Sequence, residues 1–210
     1  LGRSIMLVSG GNLFLALLLG MFMALIVGLG LPTPAAYALI AIIMIPFLQD
    51  FGLTPMVAHF FGFYFAIYSA ITPPVAVGVM TASRISGGSF YGTAYEAGRL
   101  SLTAILIPFA FVAYPSILDF PAIGWGGLAV SAALIAATFC WGASIYGRYK
   151  GLQLSMGERL LLLLGPLFFI ALLITNEMLF AVMILLAVAT FFVRQRHRLK
   201  VEGIANSTAV

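Results

Sequence analysis

The chain has 210 residues, of which 63% are hydrophobic and only 8% are charged, and its mean hydropathy is +1.15. A soluble domain carries about a quarter charged residues, so this composition excludes a water-soluble globular protein and indicates a chain that lies in a bilayer. The net charge is +4, but much of the excess lies in the block 194–200. In a membrane protein such a block predicts a cytoplasmic flank rather than a nucleic-acid interface, and we expect no nucleic-acid partner.

The first strong feature in chain order is a pair of apolar runs joined by a tip rich in glycine and proline. The runs cover residues 13–27 and 35–48, and the tip reads Gly28-Leu-Gly-Leu-Pro-Thr-Pro34. Each run of about fifteen residues covers roughly 22 Å as a helix, less than the roughly 30 Å hydrocarbon core. The lengths and the tip favour a re-entrant helical hairpin over residues 13–49, although two full spans would give the same parity. Its tip must be buried in protein or line a wet cavity, because bare backbone in lipid costs several kcal/mol per unsatisfied group.

The next feature is an apolar run over 56–71 that stops at Thr72-Pro73-Pro74 and resumes through 76–83. Two successive prolines remove two backbone donors, so the carbonyl groups near Ser69 and Ala70 are expected to lose their helical partners. Freed carbonyls at membrane depth suit a sodium ion, and the N-termini of half-length helices suit an anion. The pattern predicts one broken transmembrane helix and one binding half of a secondary transporter. A plain kink, with Thr72 bonded only to its own helix, is the alternative.

The remainder of the chain is plainer. Residues 84–99 predict a loop or a short interfacial helix, in which Glu96 and Arg99 are spaced for a local ion pair. The sequence therefore predicts an all-α integral membrane protein with one re-entrant helical hairpin, one broken transmembrane helix and about four further transmembrane helices, at 100–114, 123–146, 160–175 and 178–193. We predict three parts. A transport repeat covers 1–118 and contains the broken helix at 56–83. A three-span extension covers 119–200, and a disordered tail covers 201–210.

The distribution of charge and the single cysteine add three expectations. Counting spans back from the basic block places every loop arginine and lysine on one side, and the opposite loops hold Asp50, Asp119 and Glu177. The positive-inside rule then puts the carboxyl terminus in the cytoplasm and opens the hairpin to the external face. Cys140 has no partner, which excludes a disulfide framework and favours a small buried hydrophobe. The start at Leu1, without an initiator Met or a signal peptide, predicts the carboxyl-terminal piece of a longer polypeptide.

Three stretches of the sequence carry a family resemblance, and they read Gly28-Leu-Gly-Leu-Pro-Thr-Pro-Ala-Ala-Tyr37, Ala58-His59-Phe60-Phe61 and Ser69-Ala-Ile-Thr-Pro-Pro-Val75. Over roughly residues 10–118 the chain resembles the large membrane subunit of TRAP transporters, the tripartite ATP-independent periplasmic transporters. It is most similar to the carboxyl-terminal part of the fused permeases that work with binding proteins of the TAXI type. Dicarboxylate-type subunits tend to carry an acidic residue where Pro32 stands, so the resemblance does not extend to C4-dicarboxylate specificity.

The resemblance implies a sodium-coupled importer of organic acids that works by an elevator-type motion in the bacterial inner membrane. It implies three protein partners, which are a periplasmic substrate-binding protein, a small membrane subunit or its fused equivalent, and an amino-terminal half with an inverted repeat. It also implies that the tip and the break line the substrate and sodium sites, through Gly28, Gly30, Pro32, Thr33, Ser69, Thr72, Pro73 and Pro74. Sodium would be held by Ser69, Thr72 and nearby carbonyls, and no other cofactor is expected.

Other interpretations of the same residues stay open at this point. The tip could be a tight turn between two buried helices, and the whole chain could be a scaffold subunit that does not transport. An intramembrane protease would need Ser69 within about 3 Å of His59, but ten residues of continuous helix separate two groups by roughly 15 Å. We therefore expect no enzyme. His59 itself is expected to be a structural residue that packs the hairpin, or else a proton sensor near its ordinary pKa of about 6.5.

Overall fold

The computed structural model describes residues 2–118, 123–149, 152–175 and 177–207. The chain divides into two compact units, Leu1–Leu118 and Asp119–Val210, each of which is described by itself. Secondary structure in the described residues is helical apart from one two-stranded ribbon of two-residue strands. Four helical segments are long and apolar enough to cross a membrane, namely Thr33–Asp50, Phe90–Ala113, Trp125–Tyr146 and Met156–Thr175. The predicted class, an all-α integral membrane protein, is confirmed.

The first unit contains seven α-helices and a short 3-10 turn. These are α1 Gly2–Ser9, α2 Leu13–Val27, α3 Thr33–Asp50, α4 Pro55–Ser69, α5 Val77–Ser86, α6 Phe90–Leu102, α7 Leu106–Ala113 and the turn Pro115–Leu118. Polar caps set several of the starts. Asn12 accepts a hydrogen bond from the Leu15 amide at 3.0 Å, Thr54 accepts one from Val57 ahead of α4, and Ser89 accepts one from Gly92 ahead of α6. The polar segment 84–99 is therefore mostly helical, and the predicted ion pair between Glu96 and Arg99 forms at 2.9 Å.

The hairpin arms and α4 pack around one apolar core. Ile40, Met44 and Leu48 of α3 are fully buried against Phe61 and Phe65 of α4. Arm α3 has 18 residues, or about 27 Å of helix, because Thr33 and Pro34 join its first turn and Gln49 and Asp50 its last. This arm is longer than the predicted half-length run and is long enough to cross a membrane, so the re-entrant form of the hairpin stays a prediction.

The predicted span at 100–114 overlaps Phe90–Ala113, one of the segments long and apolar enough to cross a membrane, and this segment bends in its middle. Helix α6 ends at Leu102, α7 begins at Leu106, and the residues between them form turns. Pro108 is the physical reason, because it offers no N–H to the carbonyl group of Ala104 four residues earlier.

The described residues of the second unit form a bundle of three helices. Helix α8 covers Trp125–Tyr146, β1 Arg148–Tyr149 pairs antiparallel with β2 Leu152–Gln153, and α9 Met156–Thr175 and α10 Leu179–Ser207 follow. A capping box starts α9, since the Ser155 amide donates to Glu158 and the Glu158 amide donates back to the Ser155 hydroxyl. Helix α10 continues through 201–207, which differs from the disorder predicted for the tail, because no proline interrupts the helix there. Residues 208–210 lie outside the described residues.

One close contact sets the separation of α8 and α9. A Cβ atom added to Gly165 would lie 2.7 Å from the Cβ atom of Cys140, which is itself fully buried as the sequence predicts. The two helices therefore approach closely only because residue 165 has no side chain.

We expect Gly165→Ala to destabilise the protein by about 1–3 kcal/mol, the cost of overpacking a helix contact that cannot open without backbone movement. Gly157→Ala on the same helix is the matched control, because a Cβ atom there meets no atom within 4 Å. The measurement is the Tm of the purified protein in detergent. Equal Tm values for the two variants would contradict the close approach at Gly165.

Candidate functional site

The hairpin tip is a tight turn between α2 and α3. The amide of Leu29 donates to Ile26, and the amide of Leu31 donates to Gly28, both at 3.2 Å. Gly30 has a φ of +76°, a conformation that residues with a Cβ atom rarely adopt, so glycine is required for this turn. Helix α3 then begins behind Pro32, which has no side chain that could cap it.

The break between α4 and α5 covers residues 70–76. Its backbone folds back on itself, because the Gly78 amide donates to the Ala70 carbonyl at 2.9 Å and so joins the two ends of the break. The Thr72 amide donates to the Ser69 carbonyl at 3.3 Å. Ala76 ends the break with a φ of +41°, in the left-handed region. The helix is therefore interrupted at the position that the sequence predicts.

The carbonyls of Ser69 and Ala70 lose their helical i+4 donors, as predicted, because residues 73 and 74 are prolines. Neither carbonyl is left free, however, since each accepts a backbone amide from within or beyond the break. The carbonyls without a partner lie further along the chain. Within the described part of the chain, no hydrogen bond reaches any of five consecutive carbonyl oxygens, those of Ile71, Thr72, Pro73, Pro74 and Val75.

The tip and the break contact each other. Gly28 is buried against Ser69, and a side chain at residue 28 would overlap the Oγ and Cβ atoms of that serine. A Cβ atom on Gly30 would lie 3.2 Å from Val75. The structure therefore brings two predicted site glycines onto the break. It also adds Val75. In the sequence, only the position directly after the double proline distinguishes this residue.

The other predicted site residues lie around this contact. Pro32 is exposed and Thr33 partly buried at the start of α3, and Pro73 and Pro74 are exposed in the break. Among the described residues, no hydrogen bond joins Pro32 or Thr33 to the break.

The two hydroxyl groups of the break both bond to their own helix. The Ser69 hydroxyl donates to Ala66 at 2.7 Å and the Thr72 hydroxyl donates to Tyr68 at 2.8 Å. A hydroxyl that donates its hydrogen keeps oxygen lone pairs, so this bonding fixes the two oxygen atoms and leaves them able to bind a cation.

The N-termini of α3 and α5 begin at the tip and at the break. Neither helix has a side-chain cap, in contrast with α2, α4 and α6. In the described structure no hydrogen bond uses the amides of Thr33 and Ala35 in α3 or those of Val77 and Val79 in α5. Free first-turn amides carry the positive end of the helix dipole, so they favour an anion nearby.

No ionisable side chain belongs to the tip, 28–34, or to the break with the first residues of α5, 69–78. The described residues also contain no group of three or more His, Cys, Asp or Glu side chains that could hold a metal ion. The site can therefore offer carbonyl and hydroxyl oxygens to a small hard cation and backbone amides to an anion. The residues 28–34 and 69–78 include no general base that could activate the two hydroxyls as nucleophiles.

His59 does not contact Ser69 and packs the hairpin instead. Its Nδ1 atom lies 2.7 Å from the hydroxyl oxygen of Tyr37 on α3, and Tyr37 also meets the edge of the Phe63 ring. Since Ser69 bonds to Ala66, no Ser–His pair forms, and the geometry that a protease would need is missing from these two residues.

Fold and site together define a multi-pass membrane protein in which a helical hairpin packs its tip against a broken helix. Residues 1–126 match the family model described as the tripartite ATP-independent periplasmic transporter, DctM component. The chain belongs to this family and is a permease subunit of a TRAP transporter. Permeases of this kind associate with a substrate-binding protein and a small membrane subunit. No curated protein and no solved structure matches the chain.

We expect Gly28→Ala to lower the Tm, because the new Cβ atom overlaps Ser69 and must separate the tip from the break. The double variant Gly28→Ala with Ser69→Gly removes the overlapping atoms and should recover most of the lost stability. Gly98→Ala is the control, since a Cβ atom at that helical glycine meets no atom within 4 Å. A double variant no more stable than Gly28→Ala would contradict the contact between residues 28 and 69.

Proposed function

We propose that this chain forms one half of the substrate and sodium site of a TRAP transporter that imports organic acids by sodium symport. The observation that carries the proposal is the row of five carbonyls that have no partner among the described residues, in a break that lies against the hairpin tip. Unpaired backbone in a bilayer is tolerated where it lines a cavity, and in transporters such oxygens hold the coupling ion.

Sodium is the proposed ligand of the break. Ser69, Thr72 and the carbonyls of 71–75 supply neutral oxygen atoms, which suit a small cation. The organic acid is proposed to bind where the free amides of α3 and α5 begin, because the positive helix ends attract a carboxylate. Gly28, Gly30, Pro32 and Thr33 shape the tip side of this site, and Pro73 and Pro74 keep the break open.

The partners are proposed from the family and from the sequence. A periplasmic substrate-binding protein delivers the acid, and an amino-terminal half of the same permease supplies a second hairpin and broken helix. Residues 119–200 are proposed to be the extension of a fused, TAXI-type permease, beside a small membrane subunit or its fused equivalent. The protein lies in the bacterial inner membrane with its carboxyl terminus in the cytoplasm, as the basic block at 194–200 favours.

Sodium binding provides the first test, because it needs no knowledge of the substrate. The complete transporter should be stabilised by NaCl relative to KCl at constant ionic strength, since a ligand that binds only the folded state raises the Tm. Thr72→Ala should raise the half-saturating sodium concentration roughly tenfold, the effect of about 1.4 kcal/mol from one lost ligand. The half-saturating sodium concentration for uptake of radiolabelled organic acids into proteoliposomes, measured with the binding protein present, should rise in the same way.

Thr81→Ala is the matched control. The Thr81 hydroxyl makes the same type of bond to its own helix, to Val77 at 3.1 Å, but it lies on α5 outside the break. Equal sodium responses in the two threonine variants would overturn the assignment of Thr72. Stabilisation by KCl equal to that by NaCl would overturn sodium coupling.

The orientation has a separate test by labelling with a membrane-impermeant maleimide. Gln49→Cys, in the last turn of α3, should be labelled from the periplasmic side, and Ile85→Cys, near the end of α5, only when the membrane is opened. Both residues are exposed and lie in helices, so the substitutions need no unusual backbone conformation. The opposite pattern of labelling would reverse the proposed topology.

A further inference from the structure

The bend between α6 and α7 is hydrogen-bonded to side chains from the site helix α4. Because Pro108 has no N–H, the Ala104 carbonyl accepts the amide of Ile107 at 3.1 Å, and the Ser101 carbonyl likewise accepts the amide of Ala104 at 3.0 Å. Two tyrosines add a second donor to these two carbonyls. Tyr64 donates its hydroxyl to the Ala104 carbonyl at 2.7 Å, and Tyr68 donates to the Ser101 carbonyl at 2.6 Å.

The two tyrosines act as a matched pair. They lie four residues apart on one face of α4, their rings stack with centroids 5.0 Å apart, and their hydroxyl oxygens are 3.4 Å apart. They accordingly reach two carbonyls that are three residues apart on the bend. Each tyrosine makes one hydrogen bond to the bend.

Only Tyr68 also takes part in the break. Its own carbonyl accepts the amide of Ile71 at 3.1 Å and the hydroxyl of Thr72 at 2.8 Å, and the next residue is Ser69. The side chain of Tyr68 is therefore bonded to the bend while its backbone is bonded to the break. Tyr64 lies more than one helical turn away from the break and makes no bond to it among the described residues.

Packing alone does not fix α4 against α6. An open groove of about 480 Å³ lies between them, lined by the two tyrosines together with Ile67, Ile71, Ala97, Leu100, Ser101 and Ala104. Across such a groove the side chains make few contacts, so the two hydroxyl groups carry a larger share of the constraint on the last turn of α4.

We propose that Tyr68 is a positioning residue of the ion site, which holds the last turn of α4 so that the break carbonyls and the Thr72 hydroxyl keep their arrangement. This inference rests on the proposed function. Stability and sodium binding should therefore respond differently to the loss of each hydroxyl. Loss of either tyrosine hydroxyl removes one hydrogen bond to the bend, but only loss of the Tyr68 hydroxyl disturbs sodium binding.

The experiment compares Tyr68→Phe with Tyr64→Phe in the complete transporter. Both variants should lower the Tm by similar amounts. Tyr68→Phe should also raise the half-saturating NaCl concentration for thermal stabilisation roughly fivefold, the scale of one lost hydrogen bond, and Tyr64→Phe should leave it within twofold of wild type. Equal sodium responses in the two variants, whether shifted or unshifted, would overturn the role of Tyr68. An absence of any sodium response in the wild type would instead overturn the proposed function.

A further variant keeps the test decisive. If Tyr68→Phe assembles too poorly to be measured, Ala97→Leu is added to fill the groove, with Ala97→Leu alone as the control. Sodium affinity equal to that control would count against the positioning role, and weaker affinity would support it.

Discussion

A backbone carbonyl in a bilayer must find a donor, and this constraint explains the organisation of the first unit. Prolines remove donors at several places, with different results. Pro46 and Pro166 lie inside α3 and α9, which continue past them. At the bend before Pro108 the tyrosines of α4 supply new donors. At the double proline five successive carbonyls have no partner among the described residues, so the open break is not simply what proline does to a helix.

The sequence predicts much of this arrangement because local chemistry determines it. The double proline marks the break, and the glycines and prolines of 28–34 mark the turn between the hairpin arms. The identity of the open carbonyls could not be predicted, because it depends on the Gly78 amide returning across the break to Ala70. A count of lost i→i+4 donors cannot anticipate such a bond, since it takes each helix as straight.

Tertiary contacts account for the other differences. Pro108 and the four-residue spacing of Tyr64 and Tyr68 are all visible in the sequence, but nothing local pairs these tyrosines with carbonyls that lie 40 and 33 residues away. The contact of Gly28 with Ser69 is equally non-local. By contrast, the capping box of Ser155 and Glu158 follows a Ser-x-x-Glu pattern, and a search for that pattern would have placed the start of α9 from sequence.

On the proposed function, sodium binding and acid binding are coupled. The absence of ionisable side chains from the tip and the break gives a physical reason for this coupling. A sodium ion among neutral oxygens keeps most of its charge uncompensated, and a carboxylate near uncapped helix ends does the same with the opposite sign. Each ion then lowers the electrostatic cost of the other, most strongly where water is excluded and the effective dielectric constant is low. Such mutual stabilisation is a coupling free energy between two sites, and it acts equally in both directions. A fixed arginine would bind the acid without sodium and so weaken the dependence of one ion on the other.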